Sequence, residues 1–177
     1  MENNPKGRKV LVFITGIQKY DDHDNSIEVV SPGKYYIKDN KQYITYKERN
    51  EGSSQDILTT IKIDDNKISV MRFGGINTNM TFELNKKHTT FYDTEQGALT
   101  VSITAKKINL TLDEAEGEIE VNYELEIDHI LMGTNLLHIK VYPTDKVYPA
   151  DRSYILDSGE DNISLQDINQ DETFLNF

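Results

Sequence analysis

The chain has no cysteine, no tryptophan and only four prolines among its 177 residues. Without cysteine there can be no disulfide or thiolate metal site, so stability has to come from the packed core alone. Such a chain suits a reducing compartment, and a cytoplasmic location is the expectation. Cations are scarce too: 19 lysines and arginines against 30 acids leave a net charge of −11. Nucleic-acid surfaces need clustered cations along the phosphate backbone. The one basic cluster, Lys6, Arg8 and Lys9, reads instead as a solvated N-terminus. No apolar run is long enough for a membrane span. Val10 to Ile14 is too short for a signal peptide and lacks a small-residue cleavage site, so it reads as a first strand. Sequons at Asn79, Asn109 and Asn162 read as chance in a chain of this expected location.

What is present is alternation. In residues 118–127, Ile119, Val121, Tyr123, Leu125 and Ile127 fall on one side and Glu118, Glu120, Asn122, Glu124 and Glu126 on the other. Only a strand with one dry and one wet face explains strict period two over ten residues. Such strands need apolar residues on one face only, so the modest 37% hydrophobic content is adequate for one domain with a sizeable core.

The same pattern recurs along the chain. Lys9 to Lys19 is a β-rich run, and Asp21 to Asn25 breaks it with turn formers. Ile27 to Lys38 resumes, and Ser31-Pro32-Gly33 within it predicts a bulge or kink, because proline removes a ladder donor. Asp39-Asn40 predicts a tight hairpin, since both residues tolerate positive φ. Further alternating segments follow from Ile57 to Ile63, Lys67 to Phe73, Met80 to Leu84 and His88 to Asp93. Leu99, Val101, Ile103 and Ala105 face one way, but Ile108, Leu110 and Leu112 switch parity. One extra residue at Lys106-Lys107 restores a common face and predicts a bulge. Asp113 to Gly117 closes a hairpin, and the last clear strand is Thr134 to Tyr142. No window before residue 143 has a helical period. Nine to eleven short strands in consecutive hairpins predict an all-β antiparallel meander that closes into a barrel, since closure removes the sticky edges.

Residues 143–177 differ in composition. Eight acids and two bases give them −6 of the total charge, and two Tyr-Pro pairs suggest an extended linker. The division expected is therefore a barrel over 8–142 and an acidic extension over 143–177, with a short helix at 162–168 as one option.

In order, the segments 33–46 (Gly-Lys-Tyr-Tyr-Ile-Lys-Asp-Asn-Lys-Gln-Tyr-Ile-Thr-Tyr), 59–63 (Thr-Thr-Ile-Lys-Ile), 70–74 (Val-Met-Arg-Phe-Gly), 91–99 (Phe-Tyr-Asp-Thr-Glu-Gln-Gly-Ala-Leu) and 117–125 (Gly-Glu-Ile-Glu-Val-Asn-Tyr-Glu-Leu) resemble the YwiB-like family of small bacterial proteins. That family is a domain of unknown function with a calycin-like β-barrel. The likeness spans residues 8–142 and lies in order and spacing. It implies a lipocalin-like or fatty-acid-binding-protein-like barrel. It carries over no catalytic or ligand residues, and the acidic extension is outside it.

Several groups of residues could carry chemistry. Arg72 shares parity with Ile68 and Val70, so it is either a cation inside the barrel, able to hold a carboxylate or phosphate, or a strand-end residue paired with a surface or rim acid. Tyr35, Tyr36, Tyr43, Tyr46, Tyr92 and Tyr123 either present hydroxyls to a bound molecule or fill the sheet. The ligand set retained is Arg72, Tyr36, Tyr46, His88, Tyr92 and Tyr123. Asp22-His23-Asp24 has the residue types of a metal site but sits in a turn that explains them, and His88, His129 and His138 show no ligand spacing. No phosphate loop, nucleophile elbow or zinc-protease motif occurs, so neither catalysis nor a metal or cofactor is expected. The glutamates of 118–126 read as a solvated face offset by Lys106, Lys107 or Lys140. Phe174, Leu175 and Phe177 could dock in a partner, cover the barrel mouth or stay disordered. Two functions follow: a barrel that holds a small apolar or amphipathic molecule, or a scaffold that engages a macromolecule through its tail.

Overall fold

The computed structural model describes residues 7–19, 24–48, 56–74, 77–94 and 97–146. Within them alternation becomes ten strands: β1 (Arg8–Lys19), β2 (Asp24–Lys38), β3 (Lys41–Glu48), β4 (Ile57–Asp64), β5 (Lys67–Phe73), β6 (Thr78–Glu83), β7 (Lys87–Thr94), β8 (Gly97–Leu110), β9 (Gly117–Ile127) and β10 (Ile130–Pro143). Every pairing between these strands is antiparallel, and the order across the sheet is β6-β5-β4-β3-β2-β1-β10-β9-β8-β7. The chain thus meanders outward from β1 to β6, then starts again at the far edge with β7 and meanders inward to β10 beside β1. The two edges then approach each other, where Leu84 bridges Ala105 and Asn85 N–H donates to the Ala105 carbonyl at 2.8 Å. The result is a nearly closed all-β barrel.

Tight turns set the register. Asp39 and Asn40 both have positive φ, as the hairpin they form requires. A second such pair, Asp128-His129, turns β9 into β10, so β10 begins at Ile130 rather than the expected Thr134. The bulge predicted at Lys106-Lys107 is present, with the β8–β9 register shifting between Ala105 and Lys107.

Of the bulge or kink expected at Ser31-Pro32-Gly33, no bulge interrupts the β1–β2 register. β2 pairs with β1 without a break from Asp24 to Tyr35. The proline acts on the other side, where the β3 ladder stops at the Gly33–Tyr46 pair. The next position would set Pro32 against Lys47, and Pro32 has no N–H to give. The Ser31 hydroxyl donates to the Lys47 carbonyl instead, at 2.9 Å.

The two ends of the barrel differ. At the base, Val10, Ile44, Phe82, Ile119, Val121 and Val141 are fully buried, each burial contributing roughly 1.5–3 kcal/mol. The loop between β8 and β9 folds across this end, burying Leu112 and Ala115. Arg8 holds it by donating to the Glu114 carbonyl at 2.9 Å and to Asp145 at 3.0 Å. The loop turns back at Gly117, whose φ of +138° is open to glycine and strained for other residues. A Cβ there would stand 2.3 Å from the Thr111 carbonyl oxygen. Gly117→Ala is therefore expected to destabilise the protein by about 3 kcal/mol, which urea unfolding measures.

Candidate ligand cavity

The opposite end is the mouth, where β1, β3, β5, β7 and β9 finish. Here the side chains of the described residues do not fill the interior. A cavity of about 310 Å³ remains, walled largely by Ile14, Val29, Ile61, Val70, Leu125 and Ile139, with Tyr46, Glu48, Arg72, Tyr123 and Asn135 as its main polar members. Leu58, Phe73, Ile130 and Leu131 lie exposed at the same end.

The polar members arrive by strand parity. In β3, Glu48 shares the inward side with Ile44 and Tyr46; in β4, Thr59 shares it with Ile57 and Ile61; in β5, Arg72 shares it with Ile68 and Val70. The register sets Tyr46, Thr59, Arg72 and Thr78 in one row across four strands. Arg72 Nη2 donates to Glu48 Oε2 at 2.5 Å, and Thr59 Oγ1 donates to Glu48 Oε1 at 3.0 Å. The Tyr46 hydroxyl also hydrogen-bonds Glu48. Burial, then the Glu48 charge, pushes the Tyr46 phenol far up, against a smaller opposing pull from Arg72. Across the barrel, Asn135 stands between Gln18 and Tyr123 in register. Burial pushes the Tyr123 phenol up to about 12, and its ring meets Phe82 edge-on at 5.0 Å between centroids.

Three of the six residues expected at a ligand site, Arg72, Tyr46 and Tyr123, line this cavity together. The other three are not among its lining residues. Tyr36 has the parity opposite to buried Tyr35, so it lies on the outer face, stacked on Tyr43 at 5.1 Å. His88 is at the base end of β7, with Nε2 3.0 Å from Glu83 Oε2. Tyr92 is buried, with its hydroxyl taken up by the Asn79 backbone. Phe174, Leu175 and Phe177 lie outside the described residues, as does the 162–168 segment. The glutamate stripe is paired along the outer face: Lys140 with Glu118, Lys107 with Glu120, Lys106 with Glu124 and Lys87 with Glu126. Among the described residues no cluster of histidines and acids has the makings of a metal site.

Sequence reading missed Glu48 and Asn135. Parity was the available signal, since Glu48 continues the Ile44–Tyr46 side and Asn135 the Leu137–Ile139 side. Glu48 is followed by the polar Arg49 and Asn50, which hide that parity.

The profile of a family described as "Domain of unknown function (DUF1934)" matches residues 12–139. The chain belongs to this family. A curated relative, the uncharacterized beta-barrel protein YwiB of Bacillus subtilis (strain 168), is 26% identical over 118 residues, covering 67% of this chain and 82% of the relative. The crystal structure of the Bacillus subtilis ywiB protein superposes with a TM-score of 0.67 at 23% identity, covering 77% of this chain and 92% of that one. The DUF1934 match ends inside β10, so Pro143 and everything after it lie beyond the matched residues.

Two measurements test the polar cluster. Arg72→Met leaves Glu48 without its cation and is expected to cost about 2 kcal/mol in urea unfolding. That is below the range for fully enclosed pairs because 15% and 18% of the two side chains stay accessible. The double variant Arg72→Met/Glu48→Gln is expected to recover part of the loss. The second test is pH. With its folded pKa near 12 against 10.0 unfolded, Tyr123 keeps its proton in the folded state while the unfolded state loses one. Its contribution is complete below pH 10 and falls by up to about 1.4 kcal/mol per pH unit until about pH 12. Tyr123→Phe is expected to flatten that decline, read as denaturation midpoints against pH.

Proposed function

We propose that the protein is a non-catalytic binder that takes a small apolar or amphipathic molecule in the open half of the barrel, in the manner of lipocalin-like proteins. The observation that carries this reading is the 310 Å³ cavity. Its size lies at the lower end of small-molecule sites, and its mostly aliphatic wall with a few convergent polar groups has their usual make-up. Barrels of this size are commonly filled by their own side chains; among the described residues the base is filled while the mouth is not. The exposed Leu58, Phe73, Ile130 and Leu131 at that end offer an apolar approach for a poorly soluble ligand.

Native mass spectrometry of the purified protein, combined with thermal shift against medium-chain alcohols, amides, esters and acids, tests the proposal. A ligand at about a hundred times its Kd raises stability by about 2.7 kcal/mol. Val70→Trp, which places an indole into the cavity, is expected to abolish the shift while the circular dichroism spectrum stays that of a β-protein. Shifts that survive Val70→Trp, or no shift with any compound, reject the reading.

A further inference from the structure

The charges in this cavity are already matched. Glu48 accepts from Arg72 Nη2 on one carboxylate oxygen and from Thr59 on the other, and Tyr46 adds a further hydrogen bond. Unmatched donors remain. Arg72 Nε and Asn135 Nδ2 are buried without an acceptor, on two side chains that both line the cavity. Asn135 is only 5% exposed. Buried polar groups in folded proteins nearly always have partners, so two orphaned donors in one apolar cavity mark where an acceptor belongs.

We propose that the ligand is an uncharged amphiphile, whose carbonyl, ester, amide or hydroxyl oxygen accepts from one of these donors, Asn135 Nδ2 first and Arg72 Nε otherwise, while its hydrocarbon part lies on the aliphatic wall. The inference rests on the binding function proposed above and names the ligand class. A carboxylate or phosphate would set a second negative charge beside Glu48 in a poorly screened interior, where like charges repel strongly. It would also have to compete with Glu48 for the same guanidinium. The net charge of −11 disfavours the approach of anions as well. A cationic head would meet Arg72 with Glu48 already engaged. An uncharged acceptor satisfies such a donor without disturbing the pair.

The test is a series sharing one alkyl chain: free acid, primary alcohol, primary amide and methyl ester, titrated by calorimetry at a pH of about 8, where the acid is ionised. The uncharged members are expected to bind at least about tenfold tighter than the acid. Glu48→Gln frees the guanidinium, so the acid is expected to gain at least about tenfold and overtake the ester. Asn135→Leu is expected to weaken the amide and ester. A wild-type protein that binds the acid as tightly as the neutral members overturns this inference and leaves the binding function standing. Failure of all four compounds removes the binding function and the inference with it. The wild-type series decides the matter even where a variant does not fold.

Discussion

Strand β1 is the constraint on which the barrel depends. It pairs along its length with β2 on one side and β10 on the other, joining two meanders whose far edges meet at the looser seam between β6 and the β7–β8 hairpin. Its apolar run from Val10 to Ile14 is suited to that place. Val10 and Val12 are fully buried in the core, while on the outer side Phe13 meets Tyr142 edge-on. A sheet of ten strands with its middle strand formed from the start of the chain must curl before its edges can be protected.

Curling encloses more space than the side chains fill. The base is packed by branched aliphatics and sealed by the loop across Leu112 and Ala115. Toward the mouth the inward positions go instead to Thr59, Glu48, Arg72 and Asn135. An internal ion pair of this kind adds little to stability compared with well-packed apolar residues. On the binding function proposed above, the Arg72–Glu48 pair in an otherwise aliphatic wall sets which charges a bound molecule could bring.

Much of the fold was legible because period two is a local property. The Asp39-Asn40 turn, the Lys106-Lys107 bulge and the inward parity of Arg72 all follow from neighbours in sequence. The missing N–H of Pro32 suggested a bulge or kink in β2, whereas it leaves the β1 register intact and ends only the ladder facing β3. Tyr36 and Tyr46 looked alike by residue type and separated once parity was applied to each. Most of the site was not legible, since it depends on closure. That Glu48 meets Arg72 and Thr59, and that Asn135 faces the same cavity from β10, requires knowing how far the sheet curls. No pattern within one strand encodes that.

β1 begins at the base and β10 ends there, with Arg8 ion-paired to Asp145 at 3.0 Å and Lys146 bonded to Glu116. Both described chain ends thus emerge at a single pole, side by side and away from the opening. The pairs that clasp those two strands, Arg8 with Asp145 and Lys146 with Glu116, therefore lie at the opposite pole from the polar row of the cavity and can be altered without touching its wall.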